Sequence, residues 1–335
     1  MTRLAIESGR IGWTHVFYEE LLQSGREYLG GGEIDMLVID REQPYLPQFR
    51  ANVDAGGCTH LVLDPRTGAQ SWRRVLPDLL VMAWMLSRRR IAPIVVLTDA
   101  SLRRQRLQAA VLTAFDGVVV TFMSAELVSP MFPHRRIIGP VPMPVSVRRL
   151  ERLESLPPRA EDAAPTVSFI GSVYPPRAQF LARLDALLEE RGITLRVNAD
   201  KYGTSNDDYW AVLASSDIIV TTTLQGMPRD ELDWVWIQQL VFRFSEALCA
   251  GAAFVAPAVP GGDRYFTPNA DFVPFVSVGE AAEAIAALAD DPGRRAQVQA
   301  HGHATAAALA HAHAFWRAID DALGHRTVRA TDPSA

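Results

Sequence analysis

Two short segments of the chain combine residue types that bind anions and hydroxyl groups. Residues 167–177 read VSFIGSVYPPR, which predicts a strand, a glycine turn and a helix that begins at a proline. Gly171 permits close approach of the backbone at the strand end, and the free amides of the helix N-terminus favour an anion. The pattern indicates equally a phosphate site that includes Ser172, Tyr174 and Arg177, or an ordinary strand-to-helix turn.

The second segment, residues 238–251, predicts a helix that ends at Gly251. Arg243 and Glu246 lie three residues apart, so they share a face and fit an exposed ion pair worth about a few tenths of a kcal/mol. The alternative is that Glu246 has a functional role. A carboxylate at the C-terminal edge of a sheet accepts hydrogen bonds from both ribose hydroxyls in other α/β nucleotide sites, and Glu246 is the candidate for this role.

Several common phosphate and metal motifs are missing from the sequence. It contains neither a G-x-G-x-x-G after a strand nor a G-x-x-x-x-G-K-[ST], which argues against dehydrogenases and P-loop enzymes. It also lacks Asp-x-Asp, the usual diphosphate clamp of metal-dependent sugar transferases. The four histidines of the Ala-rich C-terminal segment have no i,i+4 pair that would chelate a metal from adjacent helical turns: His301, His303, His311 and His313. We therefore expect no metal, and phosphate binding by backbone amides and arginines.

Composition narrows the class of protein further. A chain of 335 residues is long for one core and suits two domains. The net charge of -5, with no long basic stretch, argues against nucleic-acid binding. Cys58 and Cys249 are too far apart in sequence for a disulfide framework or metal-ligand spacing, and no apolar signal region opens the sequence, so we expect a cytoplasmic protein.

One segment leaves contact with a membrane open. The apolar run 79–86 is far shorter than the ~20 residues that span a bilayer, and residues 88–90 that follow it are all arginine. This pattern fits either a buried helix with a charged end or docking on an anionic membrane face, and we favour the buried helix. Any membrane contact is therefore expected to be peripheral.

Alternating strand and helix patterns predict two α/β domains. Strands are expected in the first half at 4–7, 35–39, 60–63, 94–97 and 117–120, with helices at 16–28, 72–87 and 102–114. Strands are expected in the second half at 166–170, 194–198, 218–222 and 253–256, with helices at 179–191, 238–250 and 279–289 and a helical stretch over 296–323. The proline-rich residues 139–144 fix an extended connection. We thus predict a first domain over 1–145, a linker over 146–165, a second domain over 166–310 and a terminal helix and tail over 311–335.

The second half resembles the GT-B glycosyltransferases, in particular the group 1 and CgeB-type transferases. The order of landmarks carries the resemblance: the strand and loop at 169–177, a helix and strand over 209–220, and the segment RFSEALCAGA at 243–252. The segments FTPNAD at 266–271 and DDP at 290–292 and the Ala/His-rich terminal helix complete it. The similarity covers about residues 165–320, and only generic architecture supports it in the first half.

The resemblance implies two Rossmann-like domains with a cleft between them, an acceptor on the N-terminal side and a donor on the C-terminal side. The last helix is expected to cross back to the first domain. Glu246 matches the carboxylate that holds the ribose, and Arg243 and Arg177 match basic positions near the diphosphate. With these we group Gly171, Ser172, Tyr174 and Thr222 as donor-binding candidates.

The sequence departs from the family pattern at two positions of the donor site. Gln238 stands where retaining members have an acidic residue that contacts the donor sugar, and we keep it among the donor-binding candidates. Val241 stands where a lysine is often found. The outcome of the reaction, retaining or inverting, is therefore open.

The expected activity is transfer of a sugar from a nucleoside-diphosphate sugar, with no cofactor beyond this co-substrate, to a small-molecule, glycan or protein acceptor. Arginine and backbone amides can stabilise the leaving diphosphate without a metal. An inverting route also needs a base. His15, just beyond the first strand, matches the place where inverting GT-B enzymes often carry theirs, and Asp99 is the alternative. A sugar-nucleotide epimerase and a non-catalytic nucleotide-sugar-binding protein are the competing hypotheses for the same fold.

Overall fold

Short apolar runs form the strands of two parallel β-sheets in the computed structural model. The structure describes residues 4–9, 15–30, 34–39, 45–56, 58–63, 72–98, 103–115, 117–132, 135–156, 164–173, 175–198, 206–223 and 239–323. The chain divides into two compact units, one of Met1–Pro144 with His313–Ala335 and the other of Val145–Ala312. Each unit has one sheet with helices between successive strands, which is a Rossmann-like arrangement.

The first unit has a six-stranded sheet of order β2-β1-β3-β4-β5-β6, in which every pair is parallel. Its elements are β1 (Leu4–Gly9), α1 (His15–Tyr28), β2 (Ile34–Ile39), α2 (Tyr45–Gly56), β3 (His60–Leu63), α3 (Trp72–Arg88), β4 (Ala92–Leu97), α4 (Arg103–Leu112), β5 (Val118–Thr121), α5 (Ala125–Val128) and β6 (Arg136–Ile138). The five strands predicted for this half are confirmed, whereas α2, α5 and β6 were missed. The strand β6 has only three residues and begins with an exposed arginine, so it shows no apolar run.

The central strands of this sheet are buried because helices cover them. The strand β5 reads VVVT and is buried at every position, as is typical of parallel strands with both faces covered. Leu61, Val95 and Val119 on adjacent strands pack with Leu86 of α3 in one apolar cluster. The core therefore lies between the sheet and the α2, α3 and α4 layer.

The second unit has a five-stranded parallel sheet of order β11-β10-β9-β7-β8. Its elements are α6 (Val147–Glu154), β7 (Val167–Ile170), α7 (Pro175–Glu189), β8 (Leu195–Asn198), α8 (Asn206–Ala214), β9 (Ile218–Val220), α9 (Arg243–Cys249), β10 (Ala253–Pro257), β11 (Val273–Phe275), α10 (Val278–Asp290) and α11 (Pro292–His311). Strand β7 pairs with β8 on one side and with β9 on the other. The chain therefore adds β8 on one side of β7 and the later strands on the other side, so the strand order reverses between β7 and β9.

The segment 146–165, predicted as a linker, includes the helix α6. Ser146 caps this helix, since its Oγ accepts a hydrogen bond from the backbone N–H of Arg149 at 3.2 Å. The Arg149 guanidinium lies 5.3 Å from the ring centroid of Trp210 on α8, a cation–π contact. The helix therefore belongs to the second unit.

The helical stretch predicted over 296–323 consists of two helices. Helix α11 ends at His311, and α12 (Ala314–Leu323) begins after His313, whose φ of +49° is left-handed and interrupts the helix. Trp316 of α12 is fully buried, and its indole N–H donates to the hydroxyl of Ser24 on α1 at 2.9 Å. The expected return of the C-terminal helix to the first unit is confirmed.

In the part of the chain that the structure describes, no helix combines the length and apolar character that crossing a membrane requires.

Helix α11 packs closely on the rest of the second unit because it carries a glycine at the contact. A Cβ at Gly302 would lie 2.6 Å from the carbonyl oxygen of Asp271 and 2.7 Å from a methyl group of Leu248. Asp271 is itself buried, and its carboxylate accepts hydrogen bonds from the Thr267 N–H at 2.7 Å and the Thr305 hydroxyl at 3.0 Å. The contact thus holds α11 against α9 and the turn before β11.

We expect Gly302→Ala to destabilise the second unit by about 1–3 kcal/mol, because the new methyl group meets backbone that has little room to shift. Gly279→Ala is the matched control: this helical glycine has only a serine hydroxyl at 3.8 Å from the added Cβ. The control should be neutral or stabilising by up to ~1 kcal/mol. Urea unfolding measures both, and equal stability of the two variants would contradict the packing argument.

Candidate functional site

The helix that carries Arg243 and Glu246 is shorter and more deeply buried than its sequence suggests. It begins at Arg243 rather than at the predicted position 238, and all seven of its residues are buried. Gln238 lies outside the described residues. The exposed fractions of Arg243 and Glu246 are 6% and 2%, so the interpretation as an exposed surface ion pair was wrong.

A tyrosine from another helix completes this buried pair. The Arg243 Nη1 donates to Glu246 Oε2 at 2.6 Å and also to the hydroxyl of Tyr209 on α8. The Tyr209 hydroxyl donates to the same Oε2 at 2.7 Å. Sequence reasoning missed Tyr209 as a site residue, because nothing in the local pattern of α8 marks a side chain that reaches a helix 34 residues later.

Burial sets the protonation of this cluster. Burial raises the pKa of Tyr209 well above its ordinary value, and its hydrogen bond to Glu246 adds to this effect, so the phenol stays neutral. For Arg243, burial by itself lowers the pKa, but the charge of Glu246 and the contact with Tyr209 outweigh burial and raise it. The guanidinium therefore keeps its charge inside the protein and compensates the carboxylate.

The two oxygens of Glu246 are used differently. Oε2 accepts both hydrogen bonds of the cluster. Oε1 accepts none from the residues that the structure describes, and it is not among their fully buried polar atoms without a partner. Arg243 and Tyr209 thus fix the carboxylate through one oxygen and leave the other for a further donor.

The turn after β7 and the end of β9 flank the point where the strand order of the second sheet reverses. In open α/β sheets, ligands bind outside the carboxyl ends of the strands at such a switch point. Gly171 follows β7 with a φ of +156°, and a Cβ there would lie 3.3 Å from the Phe169 ring. Gly171 therefore meets both requirements of a glycine: an unusual φ and a close approach.

Arg177 connects the two sides of this switch point. From the first turn of α7, its Nη1 donates to the carbonyl of Ser172 at 2.8 Å and its Nη2 donates to the carbonyl of Thr222 at 3.5 Å. Its guanidinium also lies 5.6 Å from the centroid of the Phe169 ring. The structure therefore brings together four predicted donor-binding residues, Gly171, Ser172, Arg177 and Thr222, whereas Tyr174 lies outside the described residues.

A buried hydroxyl next to Thr222 adds a feature that the sequence analysis missed. Thr223 is 2% exposed, and its Oγ1 has no hydrogen-bond partner in the described part of the chain. A buried hydroxyl without a partner costs roughly 1–3 kcal/mol. This hydroxyl is therefore a candidate for bonding to a ligand or to water at the switch point.

The candidate bases belong to the first unit. His15 is the first residue of α1, the helix that follows β1, and its side chain is outside the described part. Asp99 is also outside the described residues, directly after Thr98 at the end of β4. Thr98 is buried, and its Oγ1 has no partner among the described atoms. The roles of His15 and Asp99 remain predictions.

The C-terminal histidines do not form a metal centre with each other. Within the described ranges, no group of three or more His, Cys, Asp or Glu residues is arranged to hold a metal ion. His303 instead faces backbone and a carboxylate: its Nδ1 lies 3.1 Å from the Cys249 carbonyl and its Nε2 lies 3.3 Å from Glu154. It links the C-terminal end of α9 to α6.

Comparison with known proteins adds a family to this geometry. Residues 177–320 match the family described as glycosyl transferase-like. The match includes α9 with Arg243 and Glu246 and extends into α12. Most of the second unit is therefore glycosyl transferase-like. No curated protein matches the chain in sequence.

Solved structures share the fold of this chain over nearly its whole length. HepE from Anabaena, in complex with UDP-glucose, aligns with a TM-score of 0.62 and 13% identity over 97% of this chain and 100% of that one. Sucrose-phosphate synthase from Thermosynechococcus elongatus aligns with a TM-score of 0.57 and 15% identity over 99% and 100%. A glycosyltransferase from Rickettsia africae aligns with a TM-score of 0.53 and 11% identity over 96% and 98%. At these identities the similarity establishes the fold.

Removing the charge partner of Glu246 should cost far more stability than removing one hydrogen bond. We expect Arg243→Met to destabilise the second unit by about 3–5 kcal/mol, because it leaves a buried carboxylate without its counter-ion. Tyr209→Phe should cost only about 1 kcal/mol. Replacing both charges, Arg243→Met with Glu246→Leu, should recover much of the loss. Urea unfolding tests this order, and an Arg243→Met variant as stable as Tyr209→Phe would refute the coupling.

Proposed function

We propose that the chain is a glycosyltransferase that takes its sugar from a nucleoside-diphosphate sugar, without a metal ion, and that the nucleotide binds at the switch point of the second sheet. The observation that carries the proposal is the meeting of Gly171, Arg177 and Thr222 at this point, within one sheet whose strand order reverses there. The complex of HepE with UDP-glucose supports a sugar nucleotide as the ligand. The acceptor is a small molecule, a glycan or a protein.

Arg177 is the residue that we propose for the diphosphate. As charge develops on the leaving diphosphate, preorganised donors stabilise it best when they are held in place before the reaction. The contacts of Arg177 with two backbone carbonyls and with the Phe169 ring hold its guanidinium at the switch point. The amides of the Gly171 turn and of the N-terminus of α7 supply further donors. This arrangement supports departure of the diphosphate by charge-assisted hydrogen bonding alone.

Glu246 is the residue that we propose for the ribose. Its Oε2 is held by Tyr209 and Arg243, and its Oε1 accepts no hydrogen bond from the described residues. A carboxylate oxygen in this state is suited to a ribose hydroxyl. The geometry supports a positioning role for Arg243, because its charge already compensates Glu246. Its role near the diphosphate stays a prediction, as do the donor-side roles of Tyr174 and Gln238.

The acceptor hydroxyl must lose its proton, and His15 and Asp99 remain the proposed bases for an inverting route. A retaining route needs neither. We also propose that the reaction takes place in the cytoplasm, because two cysteines so far apart in the sequence suit a reducing compartment.

Product analysis distinguishes the alternatives on this fold. A transferase releases nucleoside diphosphate in step with transfer of the sugar to an acceptor. An epimerase converts the sugar nucleotide to its isomer without an acceptor, and a non-catalytic protein returns it unchanged. UDP-glucose is the first substrate to test, because HepE was crystallised with it.

The ribose contact can be tested on the wild-type protein. We expect UDP at about 100 times its Kd to add about 2.7 kcal/mol of stability in a thermal shift experiment. 2′-Deoxy-UDP and 3′-deoxy-UDP should bind roughly tenfold or more weakly, because each lacks a hydroxyl that a charged acceptor binds. Equal binding of all three nucleotides would exclude the ribose role of Glu246. If no nucleoside diphosphate binds at all, the proposed function itself fails.

The diphosphate contact can be tested with two arginines of the same helix. We expect Arg177→Gln to weaken UDP binding roughly tenfold or more, because it removes a charge-assisted contact, and to leave uridine binding nearly unchanged. Arg183→Gln is the matched control, since Arg183 is exposed on α7 two turns later. Isothermal titration calorimetry with UDP and uridine measures the effect. Equal losses for both nucleotides, or for both variants, would contradict the role of Arg177.

A further inference from the structure

The segment that includes the helices α3 and α4 of the first unit has an excess of positive charge, although its arginines do not form one long basic run. Residues 72–112 contain eight arginines and two aspartates, although the whole chain has a net charge of -5. The two helices pack side by side on the same face of the sheet. The segment 72–112 is therefore basic, although the chain as a whole is acidic.

The outer face of α3 is apolar as well as basic. Leu80 and Trp84 are 48% and 53% exposed, and Leu107 on the neighbouring α4 is 42% exposed. Positions 77, 80, 84 and 88 recur at helical spacing and are all exposed, whereas Leu79, Met82 and Leu86 form the buried face. The apolar run 79–86 thus divides between core and surface: its inner face is buried as expected, whereas Leu80 and Trp84 are exposed.

The arginines after this face are held in an ordered turn. The guanidinium of Arg88 lies 5.6 Å from the centroid of the exposed Trp84 ring. Arg90 has a φ of +56°, and the N–H groups of Arg89, Arg90 and Ile91 donate to carbonyls of the last helical turn at 3.0–3.1 Å. Residues 88–90 are all exposed. The turn therefore presents three arginines beside the tryptophan.

Helix capping explains only part of this arrangement. Cations at a helix C-terminus interact favourably with its dipole, which accounts for arginines at the end of α3. The dipole does not account for a tryptophan and two leucines in solvent on the same surface. Exposed aromatic and aliphatic side chains next to arginines match the two layers of an anionic membrane surface, since tryptophan favours the interface and arginine favours anionic headgroups.

We propose that the outer face of α3 and α4, with Leu80, Trp84, Arg88, Arg90 and Leu107, docks the protein on an anionic lipid surface. The apolar side chains enter the headgroup region, and the arginines pair with lipid phosphates. Nucleic acid is the other polyanion that basic and aromatic residues bind. The exposed leucines favour lipid over nucleic acid, because an aliphatic side chain can enter the apolar part of a membrane but cannot hydrogen-bond to a base or a phosphate.

The test is co-sedimentation of the full chain with vesicles of phosphatidylcholine alone and of phosphatidylcholine with phosphatidylglycerol. We expect binding only to the anionic vesicles, and weaker binding as salt shortens the Debye length from about 8 Å at physiological ionic strength. Arg88→Gln with Arg90→Asn should weaken binding roughly 25-fold, about fivefold for each charge. Asparagine is chosen at position 90 because it tolerates the left-handed backbone. Trp84→Ala should weaken binding roughly tenfold.

Matched controls come from exposed residues of the second unit. Arg196→Gln with Arg294→Gln removes the same charge, and Val276→Ala truncates a side chain that is 75% exposed. Both controls should bind within about twofold of wild type. Failure of the wild type to bind anionic vesicles, or equal losses in the controls, would overturn the proposal. A labelled DNA duplex that displaces the protein from vesicles through the same face would also overturn it, in favour of nucleic acid. Thermal unfolding confirms that each variant is folded.

Discussion

A buried carboxylate constrains the second unit more than any other single group. Glu246 is 2% exposed, and an ionised carboxylate in that position is tolerated only if a charge and hydrogen bonds compensate it. Arg243 supplies the charge from the same helix, and Tyr209 supplies a hydrogen bond from α8. The pair of helices is therefore fixed relative to each other by the need to satisfy one oxygen. The same requirement leaves the second oxygen in a defined place, which is what a binding group needs.

The chemistry that the proposal requires follows from the topology of a parallel sheet. The parallel strands of the second sheet end at one edge, so the residues directly after β7 and β9 lie near each other where the strand order reverses. A glycine with an unusual φ, a guanidinium that donates to two carbonyls and a buried hydroxyl with no partner among the described residues all occur at that edge. Their concentration at one edge is typical of a site where binding, rather than packing, selects the residues.

The two units share an architecture but differ in what their surfaces carry. In the first unit, the helices α3 and α4 turn apolar and basic side chains outward, whereas their inner faces fill an ordinary apolar core. In the second unit, α11 instead presents a glycine so that backbone can approach backbone. Helix surfaces of the same layered fold thus either pack within the unit or, as we propose for α3 and α4, bind an anionic lipid surface.

Local patterns in the sequence determined the fold class and the landmarks of the second half. Strand β3 was predicted at its observed bounds, and the segment 243–252 led to the glycosyltransferase family, because apolar periodicity and short motifs are properties of neighbouring residues. Burial was decided by the tertiary structure alone. The spacing of Arg243 and Glu246 fits an exposed pair as well as a buried one. Their burial depends on tertiary contacts, among them the hydrogen bond from Tyr209 to Glu246 and the packing of α11 on α9. The interruption of the helix at His313 and the exposure of Trp84 were likewise not evident from local spacing.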